Sequence, residues 1–325
     1  MDHTPRPIVT VTRRLPGAVE EALAERFEVR LNPDDRPLEA AGLREALATS
    51  DAVLCTVSDR IDSSVLDVEP LRAQLLANFG VGFEHIDLKA AHDRALVVTN
   101  TPGVLTEDTA DLTIALMLMV FRRLAEGERE LRDGRWTGWR PTHHLGARMS
   151  GKTLGIVGMG RIGRAVARRA VHGFGMGLLY ASRSALPPGE AAVLDAVRME
   201  VDELFSAADV VSLHVPSMPE TRHLVDARRL SLMPRHAFLI NTARGDVVDE
   251  SALADALEGG AIAGAGLDVY AEEPRVSPRL LALQQVVLLP HLGSATLESR
   301  TAMGMRAFEN LVAWAEGRAV PDRVG

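Results

Sequence analysis

The chain has 325 residues, of which 46% are hydrophobic and 25% are charged, and its formal net charge at pH 7 is −8. These values are typical of a globular protein large enough for two domains, and the negative charge argues against a general nucleic-acid surface. A single cysteine, Cys55, excludes an intrachain disulfide framework. Because we find neither a signal-peptide pattern nor a bilayer-spanning apolar run, we expect a cytoplasmic protein without membrane or nucleic-acid partners.

The first hundred residues alternate between short apolar runs and patterns with helical periodicity. The runs predict strands at 8–11, 29–31, 52–55, 75–78 and 96–99, and the patterns predict helices at 16–27 and 37–48. Strands that alternate with helices at this spacing are typical of a parallel sheet covered on both faces. We therefore expect a first α/β domain, in which Cys55 is a buried strand thiol.

Two glycines, Gly80 and Gly82, follow the predicted strand at 75–78. The loop beyond the carboxyl end of a parallel strand is where α/β sheets bind ligands, and backbone N–H groups there can hold a carboxylate. An ordinary tight turn explains the same glycines. The residues alone leave both interpretations open.

The longest helical pattern covers 107–131 and is apolar on almost all sides through its middle. A helix of this kind is buried against several neighbours. The segment after it contains Trp136 and Trp139 without a regular period, which favours a homodimer interface; an extended arm within the chain is the alternative. His143 and His144 are neighbours rather than a spaced ligand set, so we expect no metal site.

A glycine cluster follows the next apolar run. The run at 153–157 ends at Gly158, Gly160 and Gly163, which have G-x-G-x-x-G spacing, and a helical pattern follows. The first glycine permits a tight turn, the second lets the backbone approach a pyrophosphate, and the third lets the helix pack closely on the strand. The motif therefore predicts a dinucleotide-binding site.

The loop after the next predicted strand bears on which dinucleotide binds. This loop reads Ser182-Arg183-Ser184, where an NAD-preferring site would place an acidic residue. An arginine beside small hydroxyl residues suits a 2′-phosphate, because a guanidinium binds phosphate through two hydrogen bonds. We therefore expect NADPH to be preferred over NADH. The alternative is that Arg183 is a solvated loop residue.

The remaining chain repeats the alternation of strands and helices. Apolar runs predict strands at 176–181, 210–215, 237–241, 261–267 and 286–289, with helices at 249–257 and 295–316. The last of these helices is expected to return to the first domain. The predicted fold class is therefore α/β, with two domains built on parallel sheets.

Charged residues follow three of these strands: Arg244, Glu273 and His291. Hydride transfer to a 2-keto acid needs a cation that holds the substrate carboxylate and polarises the carbonyl, which a forked arginine supplies. It also needs a general acid near neutral pH, which is the role of a histidine oriented by a carboxylate. Each residue also has a structural interpretation: a buried histidine, a solvated glutamate at 272 or 273, and an ion pair between Arg244 and Asp246.

Six motifs together carry a family resemblance. They are Asn78-Phe-Gly-Val-Gly-Phe-Glu-His-Ile-Asp87, Thr99-Asn-Thr-Pro-Gly-Val104, the glycine motif, Asn241-Thr-Ala-Arg-Gly245, Leu267-Asp-Val-Tyr-Ala-Glu-Glu-Pro274 and Leu289-Pro-His-Leu-Gly-Ser294. The sequence resembles the D-isomer-specific 2-hydroxyacid dehydrogenases, and within them the glyoxylate and hydroxypyruvate reductases. The resemblance covers nearly the whole chain.

The resemblance implies a role for each matching position. Its catalytic residues are Arg244 for binding and polarising the substrate, Glu273 for supporting the histidine, and His291 as the acid. Its substrate-binding residues are Leu54, Val81, Gly82, Arg244 and His291. Its cofactor-binding residues are Thr109, Gly158, Met159, Gly160, Arg161, Ile162, Ser182, Arg183, Ser184, His214, Val215, Pro216, Thr221, Thr242, Ala243 and Asp268.

The resemblance also implies an architecture and a reaction. Two Rossmann-like or flavodoxin-like domains are expected, with a nucleotide-binding domain at 106–290 inserted into a substrate domain at 1–105 and 291–325, usually in a homodimer. The expected reaction is NAD(P)H-dependent reduction of a small 2-keto acid, glyoxylate or hydroxypyruvate, to the D-2-hydroxy acid. Reduction of a bulkier 2-keto acid, of the 2-ketogluconate or phenylpyruvate type, and a non-catalytic dinucleotide sensor are the alternatives.

Overall fold

A computed structural model describes residues 5–325, which form two compact units. The outer unit comprises 5–105 and 295–325, and the inner unit, which is inserted into it in sequence, comprises 106–294. The first boundary matches the predicted one, whereas the second lies four residues after the predicted position. The reason is that Asp268 accepts hydrogen bonds from the backbone N–H groups of His291, Leu292 and Gly293, which ties these residues to the inner unit.

The strands of the described residues agree closely with the apolar runs. They are β1 (Ile8–Val11), β2 (Glu28–Arg30), β3 (Ala52–Thr56), β4 (Leu75–Phe79), β5 (Val97–Thr99), β6 (Thr153–Val157), β7 (Gly177–Ala181), β8 (Ala196–Arg198), β9 (Val210–Leu213), β10 (Phe238–Asn241), β11 (Gly264–Leu267), β12 (Val286–Leu288) and β13 (Arg323–Val324). Strands β8 and β13 have only three and two residues, too few for a clear apolar run, and the sequence prediction missed both.

The helices include several short ones that periodicity does not reveal. They are α1 (Gly17–Arg26), α2 (Ala40–Thr49), α3 (Ser63–Leu66), α4 (Leu88–Asp93), α5 (Thr106–Phe121), α6 (Leu124–Arg132), α7 (Arg161–Phe174), α8 (Pro188–Val193), α9 (Val201–Ala207), α10 (Ala227–Leu232), α11 (Glu250–Glu258), α12 (Pro278–Ala282) and α13 (Leu297–Ala315). Across residues 5–325, none of the helices combines the length and apolarity needed to cross a membrane.

The outer unit is built on a six-stranded sheet. Its strand order is β13-β5-β4-β3-β1-β2, and only β13 is antiparallel to its neighbour. The order 2-1-3-4-5 of the parallel strands is that of flavodoxin-like folds. Helix α13 packs against α1 and β4, as expected for a last helix that returns to the first domain. Cys55 lies in β3 and is fully buried, which confirms the prediction of a strand thiol.

The inner unit is a doubly wound parallel sheet of seven strands. Its order is β12-β11-β10-β9-β6-β7-β8. Counted from β6, this is the Rossmann order 3-2-1-4-5-6 with one added strand at the β12 edge. The order reverses between β6 and β9, and ligands bind such sheets at the carboxyl ends of the strands beside this reversal. The structure thus confirms the α/β fold class with two parallel sheets.

The helix predicted at 107–131 is divided into α5 and α6. The break occurs at Arg123, whose backbone is left-handed with φ of 53°. The carbonyl of Phe121 accepts a hydrogen bond from the backbone N–H of Ala147, at 2.7 Å. Gly146 permits this approach, because a Cβ at that position would lie 2.3 Å from the same carbonyl oxygen. A contact with a distant loop therefore ends the helix.

Candidate active site

The three glycines of the motif have different environments. Gly158 has φ of +100°, and an added Cβ would lie 2.5 Å from the carbonyl oxygen of His214. At Gly163, where α7 packs on the strand, a Cβ would lie 2.3 Å from the carbonyl oxygen of Gly158. A Cβ on Gly160 would meet nothing within 4 Å. The outer glycines thus serve packing, and the open space at the middle one fits a pyrophosphate at the start of α7.

The loops beside the motif contain several of the predicted cofactor residues. Met159 is buried, whereas Arg161 and Ile162 open α7 with more exposed side chains. His214 follows β9, with its Nε2 2.9 Å from the hydroxyl of Ser212, and burial lowers the pKa of His214 from 6.5 to about 3. The imidazole of His214 is therefore neutral at physiological pH.

The chain from Val215 to Thr221 continues this rim of the sheet. The Thr221 hydroxyl donates a hydrogen bond to the carbonyl oxygen of Pro216, at 2.6 Å. The backbone N–H of Met218 donates to the Thr221 hydroxyl oxygen, at 2.9 Å. The structure therefore gives Thr221 a role in shaping the loop.

One arginine lies in the loop after β7, and a second contacts this loop from β8. Arg183 and Ser184 are exposed, and Ser182 is partly exposed. A guanidinium nitrogen of Arg198, at the end of β8, donates to the carbonyl oxygens of Ser182 and Arg183, at 2.9 and 3.1 Å. Arg198 is a residue that the sequence prediction missed, and it adds a second positive charge to this loop.

A compact turn after β10 presents Arg244. The side-chain amide of Asn241 accepts from the backbone N–H of Ala243 at 3.0 Å and donates to the carbonyl of Arg244 at 2.8 Å. The hydroxyls of Thr242 and Thr113 are hydrogen-bonded at 2.9 Å. Burial lowers the pKa of Arg244, although nearby Glu273 and Asp246 oppose this effect. Arg244 remains a cation at neutral pH, because an arginine titrates far above it.

The next residue, Gly245, brings two loops together. A Cβ on Gly245 would lie 1.9 Å from the carbonyl carbon of Tyr270. Only a glycine therefore lets the turn that carries Arg244 contact the loop that carries Glu273. The charge of Glu273 acts on Arg244 across this contact. The phenol of Tyr270 donates to the carbonyl of Leu289, at 2.8 Å, and links the second loop to the chain before His291.

Glu273 and His291 form a hydrogen-bonded pair. Nδ1 of His291 lies 2.8 Å from Oε2 of Glu273, and the backbone N–H of Tyr270 donates to Oε1 at 3.0 Å. Both carboxylate oxygens therefore have a donor. Burial opposes ionisation of Glu273, but the hydrogen bonds and charges of its neighbours, His291 first, outweigh it and lower the pKa of Glu273. With the Nδ1–H of His291 donated to the carboxylate of Glu273, Nε2 is the nitrogen available for proton transfer.

Asp268 holds the backbone beside His291. Its carboxylate oxygens accept from the backbone N–H groups of Leu292 and Gly293, at 2.7 and 2.8 Å. His291 has φ of 55°, a left-handed conformation that these hydrogen bonds help to fix. The hydroxyl of Thr109 donates to the carbonyl of Gly293, at 3.0 Å. The structure therefore uses Asp268 and Thr109, both predicted cofactor residues, to position the histidine loop.

In the outer unit, two asparagine side chains hold the glycine loop after β4 through hydrogen bonds to its backbone carbonyls. Asn78 donates its side-chain amide to the carbonyls of Gly80 and Gly82, at 3.1 and 2.8 Å, and Asn100 donates to that of Val81, at 2.8 Å. In a trans peptide unit the N–H points opposite to the preceding carbonyl. The N–H groups of Val81 and Gly82 therefore point away from these asparagines, which suits a carboxylate.

Leu54, which the resemblance assigns to substrate binding, lies in β3. Its side chain is fully buried in the core of the outer unit, where it packs with Leu75 and Met303. All of β3 is buried, so its sequence does not show which side chains reach the surface. Val57, just past the strand, is 44% exposed.

The pair His143 and His144 is part of a larger cluster. Nε2 of His143 lies 2.8 Å from Oε2 of Glu130, and Nε2 of His144 contacts the same oxygen. One ligand atom from each residue lies within 4.8 Å of the others. The sequence shows the histidines only as a neighbouring pair, whereas in the structure α6 brings Glu130 to them from 13 residues away.

A glycine-rich dinucleotide loop on a Rossmann sheet, together with an arginine and a carboxylate-supported histidine past neighbouring strands, defines a nicotinamide-dependent dehydrogenase. Comparison with known proteins makes the assignment more specific. The family model for the NAD binding domain of D-isomer specific 2-hydroxyacid dehydrogenases matches residues 114–293. Glyoxylate reductases of Thermococcus litoralis and Thermococcus kodakarensis are 43% and 45% identical to the chain; each alignment covers 98% of this chain, and 97% and 96% of the relative.

A solved structure with a similar fold is the NADPH-dependent glyoxylate/hydroxypyruvate reductase of Sinorhizobium meliloti, in complex with NADP and malonate. It is 36% identical, has a TM-score of 0.87, and the match covers 99% of this chain and 97% of that one. The chain belongs to the D-isomer specific 2-hydroxyacid dehydrogenase family and is an NAD(P)-dependent enzyme. The resemblance inferred from the sequence motifs is thereby confirmed.

Proposed function

We propose that the enzyme reduces glyoxylate, and hydroxypyruvate as a second small substrate, to the corresponding 2-hydroxy acid with NADPH as the preferred donor. The observation that carries this proposal is the pair of Glu273 and His291 held beside the Arg244 loop by Gly245. The names of the full-length relatives support the choice of a small 2-keto acid.

His291 is the proposed general acid. Its Nδ1–H donates a hydrogen bond to the carboxylate of Glu273. The imidazolium therefore presents its Nε2 proton to the substrate carbonyl oxygen. A nicotinamide bound at the glycine motif would supply the hydride for the carbonyl carbon. The carbonyl oxygen takes the proton from Nε2, and the histidine then recovers a proton from solvent. Glu273 stays ionised throughout and favours the charged histidine.

Arg244 is proposed to bind the substrate carboxylate and polarise the carbonyl. The two hydrogen bonds of Asn241 fix the turn on which Arg244 stands, so little ordering is needed when substrate binds. The N–H groups of Val81 and Gly82 are the donors that the outer unit is proposed to offer to a carboxylate. Their carbonyls are already held by Asn78 and Asn100.

The NADPH preference is proposed to come from the loop at 182–184. Arg183 is exposed in this loop, and Arg198 of β8 donates hydrogen bonds to the carbonyls of Ser182 and Arg183. Two guanidinium groups therefore lie at the loop. A 2′-phosphate is stabilised by both charges, whereas a ribose hydroxyl gains little from them. The NADP bound to the Sinorhizobium meliloti relative is in keeping with this proposal.

The test is a comparison of initial rates of NADPH and NADH oxidation with glyoxylate, hydroxypyruvate, pyruvate, phenylpyruvate and 2-ketogluconate. We expect fast turnover of the first two acids with NADPH. Turnover of only the bulky acids would overturn the substrate class and leave the acid-base assignment intact. Binding of NADPH without turnover of any acid would favour a dinucleotide sensor.

A separate substitution, at Arg183, tests the preference for NADPH. Arg183→Ala should raise the KM for NADPH by about 10-fold to about 100-fold, the loss of one or two charge-assisted hydrogen bonds, with little change for NADH. Arg235→Ala is the matched control, because this exposed arginine precedes β10 and so lies at the amino ends of the strands, whereas Arg183 follows β7 at their carboxyl ends. Equal effects on both cofactors would contradict the role of Arg183. The homodimer and the cytoplasmic location remain predictions.

A further inference from the structure

Glu130, His143 and His144 converge, and none of them belongs to the glycine motif or to the proposed acid-base pair. Glu130 lies near the end of α6, and the histidines follow a turn in which the N–H of His143 donates to the carbonyl of Arg140. Both imidazoles direct Nε2 to the same carboxylate oxygen, Oε2 of Glu130. The side chains are 12%, 19% and 27% exposed, so the cluster is sheltered from solvent and still reachable.

The backbone of this turn favours convergence of the rings. His144 has φ of 46°, in the left-handed region that non-glycine residues adopt rarely. The two ring centroids are 4.3 Å apart with an interplanar angle of 41°. In an extended backbone, adjacent side chains point in opposite directions. The left-handed residue instead places two neighbouring histidines on one side of the loop.

The three ligand atoms have the chemistry and spacing of a transition-metal site. They lie within 4.8 Å of one another. Zinc bonds of about 2.0 to 2.2 Å in a tetrahedron place neighbouring ligand atoms about 3.4 Å apart. Each histidine Nε2 therefore needs to move away from Oε2 of Glu130 by no more than about 1 Å to admit an ion. Two imidazole nitrogens and one carboxylate oxygen favour zinc-like ions over magnesium or calcium, which prefer oxygen ligands.

We propose that Glu130, His143 and His144 form a binding site for a divalent transition-metal ion of the zinc type, with water as the fourth ligand. The ion replaces the hydrogen bonds between the histidines and Glu130, and it fastens α6 to the loop at 133–147. This loop carries Trp136 and Trp139, and its Ala147 N–H ends α5 at Phe121. The site is independent of the proposed reaction, because none of its residues is placed in that chemistry.

The experiment is calorimetric titration of zinc chloride into the full-length protein after treatment with a chelator. We expect one ion per chain in the wild type. The double variant His143→Ala/His144→Ala and the single variant Glu130→Gln should each weaken binding by at least about 100-fold, the effect of losing ligands from a three-ligand site. The control is His236→Ala, because His236 also pairs with a carboxylate, that of Asp209 at 2.7 Å, but lies outside the cluster.

Two further readouts separate this site from adventitious binding. Zinc should raise the thermal unfolding temperature of the wild type, because an ion that binds only the folded chain stabilises it, and this rise should vanish in the double variant. Zinc should also change the fluorescence of Trp136 and Trp139, which lie in the loop. Wild-type protein that binds no zinc, or a double variant that binds it as tightly as the wild type, would overturn the proposal.

Discussion

The most informative change at the proposed active site is Glu273→Gln, which keeps the size of the side chain and removes its charge. In the structure the two carboxylate oxygens accept from His291 Nδ1 at 2.8 Å and from the N–H of Tyr270 at 3.0 Å. A glutamine offers one oxygen, so one of these donors faces an NH₂ group. The variant therefore loses either the orientation of the histidine or a hydrogen bond of the Tyr270 loop.

The size of the effect follows from the hydrogen bond that is lost. A hydrogen bond to a charged group contributes about 1.5 to 3 kcal/mol. If the whole of this is lost from the transition state, kcat/KM falls by about 10-fold to about 150-fold. Burial opposes ionisation of Glu273, but its hydrogen bonds and charged neighbours lower its pKa; the variant removes this titrating group, so the pH profile of the rate should change.

The assay is the steady-state rate of NADPH oxidation with glyoxylate across a range of pH. The matched control is Glu272→Gln, because Glu272 is 70% exposed and pairs with Arg275 at the surface. The control should keep the wild-type rate and pH profile. If Glu273→Gln also kept both, the assignment of Glu273 as the partner of the catalytic histidine would be refuted.

Two further predictions concern cofactor binding and stability. Gly163→Ala should destabilise the fold by about 1 to 3 kcal/mol, because its methyl group would lie 2.3 Å from the carbonyl oxygen of Gly158, whereas Gly160→Ala should fold normally and bind NADPH at least about tenfold more weakly. Urea unfolding and a fluorescence titration of NADPH distinguish the two variants. Equal losses of stability would contradict the assignment of Gly163 to packing and of Gly160 to the pyrophosphate. Burial lowers the pKa of His85 from 6.5 to about 4, so the unfolded chain takes up a proton in this range that the folded chain does not. The free energy of unfolding should therefore fall as pH drops from 6.5 towards 4, and His85→Gln should weaken this dependence; a slope unchanged by the substitution would show that His85 is not its source.

The parts of the fold that local pattern determines were predictable from the sequence. Strand β6 was predicted at its observed bounds, because a continuous apolar run ends abruptly at Gly158. The break between α5 and α6 was not predictable, because it depends on the hydrogen bond from Ala147 to Phe121, between residues far apart in sequence. Periodicity reports which faces of a helix are apolar, and it carries no information on such a contact.

In the candidate active site too, positions set by the local sequence were predictable, and contacts between distant segments were not. Arg244, Glu273 and His291 each follow a strand, so the rule that ligands bind at the carboxyl edge of a parallel sheet was enough to group them. The roles of Gly245 and Arg198 depend on contacts between different loops, and sequence spacing alone does not show them.

Two features of the structure lie beyond what the sequence shows, for different reasons. Leu54 was assigned to the substrate on the strength of a resemblance, and a strand buried on both faces does not reveal which of its residues reach the surface. Glu130 reaches His143 and His144 across a helix end and a loop, which sequence spacing does not show. The first feature concerns position along one strand, and the second concerns the packing of distant segments.

The most direct test of the central claim is the rate of glyoxylate reduction by His291→Ala, measured with NADPH alongside the affinity of the variant for NADPH. Removal of a general acid lowers kcat by about 10²-fold to about 10⁴-fold, and the cofactor should bind as tightly as it does to the wild type. That combination would support His291 as the proton donor in an enzyme that is otherwise intact. Undiminished turnover by the variant would contradict the proposed mechanism.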